Sequence, residues 1–371
     1  MSARSKTNIT SDPTRGAAAT PVVAVDANPA SRSVQTGTEV YAREVARRLP
    51  RAAPDLRFVF YASRPAPFTE PDLTVLPGRR LWSQLRLCRQ LWRRRPDLFF
   101  APSHVVPFLA PGRTLTVIHD LAFERYPGAY SRGALAYLRL TTRWAERRCA
   151  RLIVPSQATA RDLTELHGLD PARIRVVPAG GGEPPGSRPT RPAARRRAAQ
   201  LGVDRPFLLN VGRVEPRKNQ LTALAAVERL PDLLLVCAGP PADLDLAARL
   251  ARSPRCRVLG RVDDADLEHL YAAAEALVFP SLYEGFGLPV LEALRRGLPV
   301  VTAAVASLPE VGGEAAVYVR DPCDPAELAA AIEVALGDRE RLRRLGRRRA
   351  AGFTWDRTAQ GIAAVMREVL S

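Results

Sequence analysis

The sequence predicts an α/β protein of two domains, each a parallel sheet covered by helices. Three observations lead there. The 371 residues are more than one hydrophobic core usually serves, which points to domains of roughly 150–200 residues. Short apolar runs alternate with helix-length segments, the pattern of strand–helix–strand units in a buried parallel sheet. Two charged loops containing glycine directly follow such runs, where open α/β sheets bind ligands.

Composition narrows the class. With 46% hydrophobic and 25% charged residues the chain reads as soluble and globular. No apolar run reaches the ~18 residues of a spanning helix. Residues 1–20 carry scattered charge without an apolar core segment, so they read as a disordered leader rather than a secretory signal. Cys88, Cys149, Cys237, Cys256 and Cys323 are odd in number, far apart and without a C-x-x-C pair, which suits reduced thiols in the cytoplasm. The net charge of +17 comes from 53 arginines and only two lysines. Such a bias weakens arginine count as a signal and strengthens Lys218, which stands where a compact ammonium is required. A pI near 10.7 invites a nucleic-acid partner, yet 6% aromatic residues and no reader motif argue for none. Residues 21–190 hold 26 basic and 14 acidic residues, net +12, while residues 191–371 are net +3. The first half therefore faces an anionic partner, such as a membrane surface or a charged acceptor.

Val22 to Asp26 is the first expected strand, followed by a polar loop with Gly37 and a helix from about Glu39 to Leu49. Strands follow at Arg57 to Tyr61 and Leu73 to Leu76. Arg79 to Arg95 holds seven arginines and a stripe of Leu81, Leu85, Cys88 and Trp92 at helical spacing. Such a helix either lies on an anionic membrane or packs its stripe inward. The next strands are Asp97 to Ala101 and Thr114 to Ile118. His119 follows the second of these at a ligand-binding edge, and His104 holds a similar place after the first. His167 and His269 fall in helical patterns, as surface or packing residues. A long helix spans Ser131 to Cys149, Leu152 to Pro155 is a strand, and Ser156 caps a helix reaching His167. Ile174 to Val177 closes a domain at residues 21–180.

Residues 181–200, rich in Gly, Pro and Arg, form the expected linker, grading into a basic helix whose run Arg195 to Arg197 reads as a solvated face. The second domain, 201–354, has strands at Phe207–Val211, Leu233–Ala238, Arg257–Leu259, Ala276–Phe279, Val300–Thr302 and Ala316–Val319. Two helices finish the chain, around Ala326–Leu336 and Trp355–Leu370.

The stretch Phe279 to Arg295, FPSLYEGFGLPVLEALR, carries the most chemistry. A strand runs into Glu284, Gly285, Phe286 and Gly287, and then a helix opens at Leu288 and holds Glu292. Backbone N–H groups at such a turn bind an anion, while the two carboxylates accept hydroxyl hydrogen bonds. Anion and hydroxyl binding together suit a nucleotide sugar. The second loop, Gly212 to Asn219 (GRVEPRKN), places Arg213 and Lys218 at opposite ends of a short turn limited by Pro216. Arg213 offers a fork of donors and Lys218 a point charge for a diphosphate. Asp243-Leu244-Asp245 and Asp264-Ala265-Asp266 match a metal-holding pattern, but both fall at helix starts. The expectation is no metal, with protein cations stabilising the leaving group.

At these residues the chain resembles the retaining glycosyltransferases of family 4. The resemblance rests on GRVEPRKN, the paired glutamates of SLYEGFGLPVLEA, SLPEV (Ser307 to Val311) and FTWDRTA (Phe353 to Ala359). In the first half TGTEVYARE and TVIHDL resemble its bacterial mannosyltransferase-like branch. The resemblance implies the GT-B architecture: two Rossmann-like domains facing across a cleft, with the helix at 355–371 crossing back to the first. It implies that Arg213 and Lys218 contact the diphosphate, with Gly212 and the amides of Gly285 to Leu288 beside it. Glu292 would bind the ribose, Glu284 a hydroxyl of the transferred sugar, and His119 would lie beside that sugar. Gly37 would approach the donor phosphate on closure. The implied donor is a nucleotide-diphosphate sugar, the acceptor a glycan or lipid-linked molecule, and no cofactor is required. Thr38-Glu39 after Gly37, and Ala179-Gly180 before the linker, depart from the family's usual glycine and asparagine. Nucleotide binding without transfer, and epimerase or phosphorylase chemistry on the same fold, stay open at this point.

Overall fold

A computed structural model describes residues 20–32, 36–65, 72–78, 81–181 and 188–371. The expected leader (except Thr20), Arg79 and Arg80 of the basic helix, and linker residues 182–187 lie outside the described residues.

Thirteen strands among the described residues form two parallel sheets. The first holds β1 (Val22–Asp26), β2 (Arg57–Ala62), β3 (Leu73–Val75), β4 (Leu98–Ala101), β5 (Arg113–Val117), β6 (Arg151–Val154) and β7 (Ile174–Val176), in the order β3-β2-β1-β4-β5-β6-β7. The second holds β8 (Phe207–Val211), β9 (Leu234–Ala238), β10 (Cys256–Gly260), β11 (Ala276–Phe279), β12 (Val300–Ala303) and β13 (Val317–Val319), in the order β10-β9-β8-β11-β12-β13. Central strands such as β4 (LFFA) and β11 (ALVF) are apolar and buried at every residue, because helices cover both faces. Leu277 of β11 registers with Leu209 of β8 on one side and Val300 of β12 on the other. Strand order reverses between β1 and β4 and again between β8 and β11. The loops leaving the carboxyl ends at these two points are where such sheets bind ligands.

Local chemistry sets the helix starts. Thr36 and Glu39 form a reciprocal capping box, so the helix Gly37–Ala52 begins two residues before the expected Glu39. Ser156 caps Gln157–His167, its side chain accepting from Thr159 N at 3.1 Å. Asp243 and Asp263 likewise accept from Leu246 N and Asp266 N.

Three sequence expectations are corrected. Residues 191–200 are not linker: the helix Arg191–Gln200 packs on Asp264–Ala273 in the second domain. Its arginines face solvent as expected, yet Arg191 and Arg195 also pair with Glu275 and Arg197 Nε lies 2.6 Å from Asp266 Oδ1. The physical reason is Glu275, a nearly buried carboxylate that requires cations around it. A third helix, Arg339–Ala350, stands between the two expected at the end. Its sequence, RERLRRLGRRRA, buries only Leu342, Gly346 and Ala350, so its apolar stripe is too thin to read. In the segment 81–94, a wide π-type turn at Ser83–Leu87 precedes the helix Cys88–Arg94. The buried side chains are Trp82, Leu87, Cys88 and Leu91, while Leu81, Leu85 and Trp92 of the anticipated stripe are exposed.

The helix Trp355–Leu370 packs along Gly37–Ala52 and crosses β4, β5 and β6 of the first sheet. Arg48 reaches Asp356 at 3.1 Å, Arg367 reaches Asp55 at 2.6 Å, and Arg151 and Arg175 share Glu368. Gly180 sits against the start of this helix, where a Cβ would overlap the backbone of Thr354 and Trp355. Backbone cannot yield as a side-chain tip can. Gly180→Ala should therefore lower stability by about 1–3 kcal/mol. Gly133→Ala, at an open helical position, should raise it by roughly 0.5–1 kcal/mol. Urea denaturation of both variants checks the pair.

Candidate active site

The loops leaving β8 and β11 meet at the switch point of the second sheet. After β8 the chain turns at Gly212 (φ 141°), whose carbonyl touches Gly239 so closely that a Cβ there would overlap it. A short turn, Pro216–Lys218, ends at Asn219 in the left-handed region (φ 57°), with Asn219 Nδ2 donating to Pro322 O at 2.5 Å. This places Arg217 and Lys218 under the loop after β11. Lys218 Nζ lies 2.5 Å from Glu284 Oε1 and 5.2 Å from the centre of the Phe279 ring. Arg217 donates to Tyr283 O and to Glu215 Oε1, both at 2.6 Å, and its Nη1 is 3.6 Å from Glu284 Oε2. Burial opposes charge on Glu284, yet Lys218 and Arg217 hold its pKa below the ordinary glutamate value. Arg213 is outside this cluster: its side chain is 57% exposed and its Nε is 3.8 Å from Glu215 Oε2.

The turn that follows is held by its carbonyls. Ser307 Oγ lies 2.9 Å from Glu284 O and 2.8 Å from Phe286 O. Ser156 Oγ donates to Gly285 O at 2.7 Å from across the cleft. The N–H groups of Gly285, Phe286, Gly287 and Leu288 have no acceptor among the described residues. Gly287 (φ 104°) turns this row into the N-terminus of the helix Leu288–Arg296, whose dipole favours an anion there. Glu292, on the same helix, accepts from Tyr271 Oη at 2.8 Å. Burial pushes its carboxyl upward, against the pull of Arg296. No hydrogen bond or ion pair joins it to Lys218 or Glu284 among the described residues.

The first sheet supplies the opposite wall. His119 leaves β5, and its backbone packs so closely on Gly285 that no Cβ fits between them. The His119 ring is edge-on to Tyr41, with centres 4.8 Å apart, and Nε2 donates to Pro102 O at 2.9 Å. A carbonyl can only accept, so the proton sits on Nε2 and Nδ1 keeps its lone pair. Burial lowers the pKa of His119, and it lowers that of His104 to about 4 with help from His119. Gly37 faces the helix start, its Cβ position 3.2 Å from Leu288 Cδ1.

Several contributors carry no sequence signal that reveals their part. Asp26, at the carboxyl end of β1, accepts from Asn28 N at 2.9 Å, and burial raises its pKa to about 7. Tyr283 Oη donates to Asp162 Oδ2 at 2.6 Å and accepts from Leu121 N at 3.2 Å. Glu310 crosses the cleft to accept from Gln157 N and Ala158 N, both at 2.7 Å. The SLPEV string marked Ser307 and Glu310 as noteworthy, but only the packing shows that one anchors the turn and the other caps a helix of the opposite domain.

Two Rossmann-like domains closed over a strand switch point define the GT-B architecture. Residues 35–180 match the model of Glycosyltransferase Family 4, and residues 193–351 match that of Glycosyl transferases group 1. The chain belongs to the family 4 glycosyltransferases. It is 42% identical over 172 residues to the O-antigen chain mannosyltransferase B of Escherichia coli, covering 43% of this chain and 45% of that protein. It is 35% identical over 232 residues to the D-inositol 3-phosphate glycosyltransferase of Nocardia farcinica, covering 57% and 51% respectively. The chain thus spans about half the length of the curated relatives it matches. Anabaena HepE in complex with UDP and glucose has the same fold, with a TM-score of 0.73 at 19% identity over 94% of this chain and 100% of that one.

His104 carries a pH prediction. It stays neutral in the folded chain down to about pH 4, whereas the unfolded chain takes up the proton near pH 6.5. Between those values the unfolded state binds more protons, so stability falls as pH drops. From pH 7.5 to pH 5 this group removes about 2 kcal/mol. Urea denaturation at both pH values should show His104→Asn recovering that amount.

Proposed function

We propose that the protein is a retaining, metal-independent hexosyltransferase. It moves a sugar, with mannose the favoured one, from a nucleotide-diphosphate donor to a glycan or lipid-linked acceptor on the cytoplasmic side of a membrane. The observation that carries this reading is the meeting, at one switch point, of the Lys218–Glu284 pair, the unpaired amides of Gly285 to Leu288, and His119 from the opposite sheet. The amides and the helix dipole receive the donor diphosphate. Arg213, exposed at the loop edge, and Lys218 add the positive charge that a departing diphosphate needs. Asp243 spends its carboxylate on a helix cap and Asp266 pairs with Arg197, which leaves this task to protein cations. Glu284 orients Lys218 and offers its other oxygen to a sugar hydroxyl. Glu292, beside Tyr271, takes the ribose hydroxyls. Neutral His119 presents Nδ1 as an acceptor next to the transferred sugar. The acceptor hydroxyl attacks from the face the diphosphate leaves, and the donor phosphate takes its proton, so the anomeric configuration is kept. The name of the E. coli relative supports mannose, and the glycan named there supports a polysaccharide acceptor.

Lys218→Ala and Glu284→Gln should each lower kcat at least ~10²-fold with the fold intact by circular dichroism. Full turnover in both would defeat the reading. A melting screen against UDP-, GDP-, ADP- and dTDP-sugars should show one donor raising Tm, since a ligand at about 100 times its Kd stabilises by about 2.7 kcal/mol.

A further inference from the structure

With 53 arginines in the chain, positive charge alone points nowhere, so exposed apolar side chains are the more telling feature. Eight of the ten large apolar side chains exposed among the described residues belong to the first domain. Six of these, Leu81, Leu85, Trp92, Leu109, Tyr137 and Leu140, gather on one face. Trp92 Nε1 donates to Leu109 O at 2.7 Å, and Phe108 N donates to Gln84 Oε1 at 2.8 Å, which fastens the loop tip to the segment 81–94. Phe108 also stacks edge-on against Trp144 at 5.5 Å. Tyr137 and Leu140 precede Trp144 by seven and four residues on the helix Arg132–Arg148, hence on the same side of it. The patch is therefore continuous across three elements.

Its charge is unpaired and adjoins the exposed apolar side chains. In the second domain Arg191, Arg195 and Arg339 all end on Glu275. Arg86, Arg89, Arg93, Arg94 and Arg95 are exposed and have no carboxylate at ion-pair distance among the described residues. Unpaired guanidiniums rimming exposed leucines and a tryptophan match a surface that is anionic outside and apolar just beneath. No helix among the described residues is long and apolar enough to cross a membrane. A second copy of the chain would bring like charges together on this face.

We propose that this face seats the protein on an anionic lipid bilayer. Leucine and tryptophan side chains enter the headgroup region and the free arginines meet lipid phosphates. The same loop carries Pro102, which holds His119, and Leu109, which lies in the patch. Docking by this face therefore brings the acceptor side of the cleft close to the lipid surface. The inference goes beyond the transferase reading, and its vesicle-binding readout needs no donor.

The full chain is sedimented with sucrose-loaded vesicles of phosphatidylcholine alone and of an equimolar mixture with phosphatidylglycerol. It should pellet with the mixed vesicles only, and added salt should release it. A Leu85→Asp/Leu109→Asp/Leu140→Asp variant should lose at least ~10-fold in partitioning while keeping turnover on a water-soluble acceptor. Arg89→Gln/Arg93→Gln, which leaves every apolar contact in place, should weaken partitioning roughly 30-fold. Equal pelleting with both vesicle types, or undiminished binding by the folded variants, would overturn the proposal. So would a dimer in gel filtration that the triple variant dissolves without any vesicle binding, since the face would then belong to a second copy.

Discussion

A carboxylate buried away from water must find cations or lose its charge, and Glu284 is that carboxylate. It lies under the loop after β11 with Lys218 on one oxygen and Arg217 near the other. Those two side chains come from the loop after β8, so the pair ties together the two strands that flank the switch point. The ion pair is also a geometric brace. Leu282 N donates to Arg217 O, and Arg217 donates back to Tyr283 O, so neither loop can shift without exposing an unpaired charge. The following amides have no acceptor among the described residues, while the carbonyls of the same turn are held by Ser307 and Ser156.

The two domains meet through backbone, and this limits what the cleft tolerates. Gly285 has no Cβ because the His119 carbonyl occupies that place. Around that contact, Ser156 donates to Gly285 O and Tyr283 to Asp162 across the cleft, and Glu310 accepts from Gln157 N and Ala158 N at the start of the helix Gln157–His167. Each bond spans the cleft between a group that a domain alone would leave to water. The helix Trp355–Leu370 then crosses back over the first sheet, giving the pair of domains a shared element whose Trp355 packs on Tyr41 behind His119.

The strands were legible throughout because a parallel sheet covered on both faces demands unbroken apolar runs, and β1, β8 and β11 begin and end where such runs do. Motif residues were legible where special backbone or charge leaves a trace: Gly287 at positive φ, Pro216 in the short turn, one lysine among many arginines. Legibility failed where partners lie far apart in the chain. The run Arg195 to Arg197 reads as solvent-facing and is so, but its spacing does not reveal that Arg195 and Arg197 also pair with Glu275 and Asp266. The stripe of Leu81, Leu85 and Trp92 has helical spacing, but spacing does not say which side meets the core, and the wide turn at Ser83–Leu87 rotates Trp82, Leu87 and Leu91 inward instead.

By itself the order of residues determined the alternation of strands and helices, the two loops that carry charge to the strand ends, and the family resemblance, since all three depend on neighbours in the chain. Only the tertiary structure decided that Lys218 rests on Glu284, that Glu292 turns to Tyr271, and that Gly285 is pressed against His119. These are contacts between segments brought together by sheet order, and burial energy rather than local preference selects them.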